Sequence, residues 1–217
     1  EETKTHLAIL GLITLVIAID VSVRMESTGA LRALRESLFQ VVSIMTTTGF
    51  VTADFDQWPS LSKMLLILLM AIGGCAGSTS GGIKVSRVMI FLKTLRLDTF
   101  HAFRPNLVAK LSLNGNPIDD GLRHQTVFFV ALAGVTVPLG TVLVCLMEPG
   151  FDMDSGFAAV MATLFNIGPG LGEVGPTRNF AHLVPGTQLF LSLLMIFGRL
   201  EFFALLVLFM PSLWRKY

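Results

Sequence analysis

The sequence predicts an all-α membrane protein made of two consecutive repeats. Each repeat is a span, a short helix that dips into the bilayer, a glycine-containing turn and a second span. Three observations carry this. The 217 residues are 53% hydrophobic and only 14% charged, where a soluble domain carries about 25% charged residues. Mean hydropathy is +0.71. Four long apolar segments alternate with two short ones, and the order of features in the first half recurs in the second.

The first long segment, LAILGLITLVIAIDVSV at 7–23, falls short of the roughly 20 residues that a span needs and is expected to extend a turn either way. The second starts at SKMLLILLMAI, breaks at GGCAGSTSGG and resumes as IKVSRVMIFLKTL. It reaches span length only if both pieces count. The third, 126–147, and the fourth, 189–210, qualify outright, with a kink expected at Pro138. Between the long segments lie short helical stretches at Ser37–Met45 and Ser155–Phe165, too short to cross and so read as re-entrant or buried. SLFQVVSIMTTTGF lies over SGFAAVMATLFNIGP with Gly49 on Gly168, and LLMAIGG over LLMIFGR with Gly73 on Gly198.

Charge sets the expected orientation. Residues 84–123 carry seven basic residues (Lys84, Arg87, Lys93, Arg96, Arg104, Lys110, Arg123) against three acidic ones, and the C-terminus adds Arg215 and Lys216. These belong on the cytoplasmic side. The segments around Asp54, Asp56, Glu148, Asp152 and Asp154 then lie outside, while Arg24, Arg32 and Arg35 run against the rule. Trp58 and Trp214 suit interfacial anchors. Basic residues in 84–110 suit a helix end near anionic lipid. Net charge is +1, and no nucleic-acid partner is expected.

The sequence holds no nucleophile with a base and no metal-ligand spacing among its four histidines. Cys75 and Cys145 read as structural thiols in preference to a disulfide. Gly77 to Gly82 fits GxxxxG, but Ile83 precedes Lys84 and no strand leads in, so the phosphate-loop reading fails. An enzyme is therefore not expected, and no cofactor.

Non-helical backbone at membrane depth is tolerated only where it is buried in protein or lines a water-filled path. A short helix that dips in and turns on glycine is how an ion filter of backbone carbonyls is built. The C-terminal end of each short helix brings roughly half a negative charge, which favours a cation, as do the acidic outer segments. Arg199 and Glu201 lie near the middle of the fourth segment. A charge there costs at least about 2.5 kcal/mol, so each needs a partner or water. The repeat alignment puts Arg199 opposite Gly74, level with the broken segment. Arg199 is expected to donate hydrogen bonds to that loop, or else to tie two spans together.

TTTGF, NIGPGLG, GGCAGSTSGGIKV and GRLEFF, in that order, resemble the Trk/Ktr/HKT potassium transporters, in particular the bacterial TrkH/TrkG branch, over essentially the whole chain. That family has four such repeats around a pseudo-fourfold, potassium-channel-like pore, and this chain resembles the last two. The resemblance implies repeats at 1–98 and 122–217 joined by a cytoplasmic linker at 99–121. The other two repeats would come from the same polypeptide or a second chain. It implies filter carbonyls from Thr46, Thr47, Thr48 and Gly49 and from Asn166, Ile167 and Gly168, with potassium as the transported ion. It implies a gate made of Gly73, Gly74, Gly77, Ser78, Thr79, Ser80, Gly81, Gly82 and Arg199. One glycine per turn implies some sodium leak. It also implies membrane lipid around a multi-pass protein of the bacterial inner membrane, a homodimer, and a cytosolic nucleotide-binding regulatory subunit of the TrkA type. Channel, proton- or sodium-coupled symport, and a secondary transporter of another fold all remain open at this point.

Overall fold

The computed structural model describes residues 1–25, 28–104, 111–113 and 115–200. Among them are seven α-helices: α1 Glu2–Arg24, α2 Ala30–Met45, α3 Ser60–Ala71, α4 Val85–Phe103, α5 Asp120–Met147, α6 Met153–Leu164 and α7 Pro185–Arg199. α1 and α5 are long and apolar enough to cross a membrane. Their outward faces are unpartnered leucine, isoleucine and valine, with Leu12 65% and Leu139 60% exposed. Such faces suit lipid and not water.

The two-repeat plan holds. In the first half α2 packs against α1 and α3; in the second α6 packs against α5 and α7. The halves join where α3 meets α6 and α4 meets α5. α6 is the central element: every residue from Ser155 to Leu164 except Phe157 is buried. Small residues make this burial close. At Gly198 a Cβ would stand 1.6 Å from the Leu164 carbonyl oxygen, so only glycine lets α7 reach the end of α6.

Three local features stand out. α2 begins seven residues before Ser37, because Arg32 and Glu36 pair at i, i+4 (2.7 Å) along two polar first turns that an apolar scan passes over. α5 continues through Pro138 as one helix from Asp120 to Met147. The linker holds a two-stranded antiparallel hairpin, β1 Ser112–Leu113 with β2 Asn116–Pro117. It is a departure from all-α structure, and Gly115, at φ 84°, takes the left-handed backbone that short hairpin turns favour. Cys75 and Cys145 are both free.

Several polar groups within the apolar body are paired, while the buried hydroxyls of Thr14, Ser37, Thr94 and Thr187 have no partner among the described residues. Asp20, buried near the end of α1, accepts from the Ser62 hydroxyl at 2.7 Å and bridges Arg24 at 2.8 Å. α6 is capped by Asp152, whose carboxylate accepts from the Ser155 N–H at 2.9 Å. Hydrogen bonds from Ser155 hold that carboxyl below its ordinary value of 3.8. A lowered carboxyl stabilises the fold above the ordinary value and loses that contribution as pH falls through the lowered one. Asp152→Ala is expected to cost about 1 kcal/mol at neutral pH. Thermal melts in detergent at pH 7 and pH 3 test this: the gap between wild type and variant should shrink at the lower pH.

Candidate functional site

α2 and α6 end in the same way, in the middle of the molecule. After α2, the Thr47 N–H donates to the Ile44 carbonyl and the Thr48 N–H to the Ser43 carbonyl, both at 3.0 Å. After α6, Asn166 donates to Thr163 at 3.1 Å and Ile167 to Ala162 at 2.8 Å. Each is a Schellman closure, which satisfies the last free carbonyls of a helix by turning one residue left-handed. That residue is Thr47 in one and Asn166 in the other, both at φ 55°. Two residues on, Gly49 and Gly168 are at φ 71° and 113°. Residues 46–49 and 165–168 thus share the same closure and the same left-handed positions, the two glycines differing in φ.

The two turns touch. A Cβ at Gly49 would lie 2.3 Å from the Ile167 carbonyl oxygen, and with its positive φ this position admits only glycine. Among the described residues, the carbonyls of Thr46, Thr47, Thr48, Gly49, Asn166, Ile167 and Gly168 accept no hydrogen bond. Of these seven residues only Ile167 is buried, and Thr48 and Gly168 are exposed, so the unpaired carbonyls lie beside an opening where water or an ion can meet them.

The turns are held differently. Around the first, the Ser43 hydroxyl donates to the Phe50 carbonyl at 2.7 Å and Thr48 Oγ1 to the Ser43 carbonyl at 3.2 Å. The buried Gln40 amide oxygen accepts from the Thr52 and Ala53 N–H groups at 2.9 and 3.1 Å, in the orientation that satisfies both its ends. At the equivalent positions around the second turn stand Ala162, Pro169 and Ala159, and Phe165 and Ile167 are buried. Asn166 Nδ2 donates to the Met195 carbonyl at 3.1 Å and ties that turn to α7.

The broken segment folds as a closed loop between α3 and α4. Ile72 and Ile83 form a parallel bridge, with Gly73 N–H donating to Ile83 at 3.0 Å and Ile83 N–H to Ala71 at 2.8 Å. The Gly74 N–H donates to Ser80 Oγ, and the Ser78 and Ser80 hydroxyls are 2.7 Å apart. This loop lies directly against both turns. The Gly81 N–H donates to Thr47 Oγ1 at 2.9 Å, and a Cβ on Gly81 would stand 2.3 Å from the Phe165 carbonyl oxygen. Ser78, Thr79, Ser80, Gly81, Gly82 and Lys84 line a cleft of about 160 Å³ with Gly198 and Arg199. Arg199 is thus beside the loop, as the repeat alignment anticipates. The expected hydrogen bond is not there: among the described residues the guanidinium makes none to a loop carbonyl. Glu201, like Trp214, Arg215, Lys216 and Lys110, lies outside the described residues.

All the predicted site residues except Gly77 meet in one place; Gly77, at φ 83°, has open space around it at the loop's tip. Sequence reasoning missed Ser43 and Gln40, although buried polar residues on a short helix facing a turn are a legible signal.

The chain as a whole is similar to proteins of known kind. The TrkH family profile, described as cation transport protein, matches residues 4–216. The chain belongs to the TrkH family. It is 40% identical over 188 residues to the Trk system potassium uptake protein TrkH of Salmonella typhimurium, covering 86% of this chain and 38% of that one. The TrkH of Halomonas elongata is 34% identical over 217 residues, 100% of this chain and 44% of its own length. The crystal structure of the potassium transporter TrkH from Vibrio parahaemolyticus superimposes with a TM-score of 0.88 at 34% identity, covering 99% of this chain and 45% of that one. The chain therefore spans about two fifths of the TrkH relatives it matches. Its fold is that of the helical TrkH membrane proteins.

Thr47→Val removes the hydroxyl that receives the Gly81 N–H while keeping the shape. An orphaned amide costs about 1–3 kcal/mol, so amide hydrogen exchange at Gly81 should speed up by about ten- to a hundredfold, with exchange in α6 unchanged.

Proposed function

We propose that this chain supplies two adjacent walls of a potassium-conducting pore in the bacterial inner membrane, with the turns at 46–49 and 166–168 as two of its filter segments. The observation that carries this is the pair of helix ends with the same closure, whose following carbonyls are left unpaired and brought together. Such carbonyls replace the water shell of a cation. The α2 and α6 termini add partial negative charge at the same spot. With no covalent chemistry to perform, the protein's task is to hold these oxygens at fixed spacing.

The remaining walls follow from the repeat itself. α3, the second span of the first repeat, covers α6, the short helix of the second. By the same rule α7 should cover the short helix of a third unit, and α2 should be covered by a second span from a fourth. Both faces are apolar and open: Leu189, Leu193 and Ile196 on α7, Leu38 and Phe39 on α2. Two further repeats would close the ring. The loop at 72–84, lodged against both turns and flanked by Arg199, is read as the gate beneath the filter, with the guanidinium a positive barrier. From the family resemblance alone we also infer a homodimer and a cytosolic nucleotide-binding regulatory subunit of the TrkA type.

The whole protein, reconstituted in proteoliposomes, should take up rubidium-86, and potassium outside should compete far better than sodium. Gly49→Ser, forcing the turn away from Ile167, should narrow the potassium-to-sodium preference by about tenfold or more. An unchanged ratio in that variant, with uptake retained, would remove the filter assignment.

A further inference from the structure

The first turn of α1 reaches the loop between α3 and α4 from the side away from Thr47. Glu2 Oε1 accepts two backbone N–H groups, Ala76 at 2.6 Å and Ser86 at 3.2 Å, from residues 74 and 84 positions away in sequence. Ala76 lies near the start of the loop, and Ser86 in the opening turn of α4, where the loop ends. One carboxylate oxygen therefore staples both ends of the loop to α1. The N–H of a second helical residue has no partner inside its own helix, and a carboxylate there is further favoured by the helix dipole. Thr3 stands next to Cys75 in the same contact. The turn that carries Glu2 is itself anchored: Glu1 bridges Lys93 of α4 at 2.9 Å, and Lys93 also donates to the Ser112 carbonyl of the linker hairpin.

We propose that Glu2 is a positioning residue that clamps the gate loop in its closed place against the two turns. The proposal rests on the reading of that loop as a gate. The loop has two sets of holds: Thr47 on the filter side, where Gly81 also packs close to Phe165, and Glu2 on the other. Swinging away from the filter requires the backbone near Ala76 to move relative to α4, and the shared oxygen resists this because it binds both. The hold depends on reach and on an acceptor oxygen more than on charge, since the side chain must span from α1 to two amides. The carboxylate touches no filter carbonyl, so it sets how often the path is open and not which ion passes.

The test is rubidium-86 uptake by the whole protein with Glu2→Ala, Glu2→Asp and Glu2→Gln, beside a variant shortened within 77–80. Glu2→Asp keeps the charge but loses reach, whereas Glu2→Gln keeps reach and an acceptor oxygen. Glu2→Ala and Glu2→Asp should raise uptake by about three- to tenfold, with potassium-to-sodium preference unchanged. Exchange at the Ala76 and Ser86 amides should quicken. Glu2→Gln should stay near wild type. A loss of structural integrity would lower uptake and could not produce this pattern; if Glu2→Ala fails to fold, Glu2→Asp carries the test. Wild-type uptake in Glu2→Asp and Glu2→Ala beside raised uptake in the shortened loop would overturn the clamp and leave the gate. Wild-type uptake in all of them would overturn both.

Discussion

A helix that stops inside a membrane must dispose of its last carbonyls, and the manner of that disposal organises this protein. Both short helices use the same closure, in which two amides fold back on the final turn and one residue goes left-handed. The closure consumes the carbonyls of Ser43 and Ile44, and of Ala162 and Thr163. It leaves those of the following residues without protein donors. Unpaired carbonyls in a low-dielectric interior are costly unless something cationic or watery meets them. Everything packed around the two turns keeps them open and adjacent: the burial of α6, the close approach of α7 at Gly198, and the contact of Gly49 with Ile167.

The loop at 72–84 is the second solution to the same problem. Breaking a span exposes amides as well as carbonyls. Here the backbone pairs with itself through the Ile72–Ile83 bridge, and three side chains finish the work: Ser80, Thr47 and Glu2. Two of these three partners come from outside the loop, so its conformation is a property of its surroundings. A segment closed by few and separable hydrogen bonds is suited to move, whereas α6 is locked by burial along nearly its full length.

How much of this could be read from residues alone divides along physical lines. The repeat, its order and the equivalence of Gly49 with Gly168 were legible, because a turn that needs positive φ leaves glycine behind. The approach of Arg199 to the loop was legible too, through the alignment of Gly73 with Gly198. The left-handed backbone of Thr47 was not: a β-branched residue in that region runs against its steric preference. It is tolerated where its hydroxyl receives the Gly81 amide. The start of α2 was obscured by its polar first turns, and the linker hairpin by attention to apolar runs. Glu2 gives no local signal, since both of its partners are more than seventy residues away.

The central claim is that the unpaired carbonyls of the two turns hold the ion together. The measurement that bears on it most directly is anomalous diffraction from crystals of the whole protein grown in rubidium. The account predicts a rubidium peak within coordination distance of carbonyls from both 46–49 and 166–168, displaced by potassium and weakly by sodium. A peak confined to acidic side chains of the outer loops, with none between the turns, would contradict it.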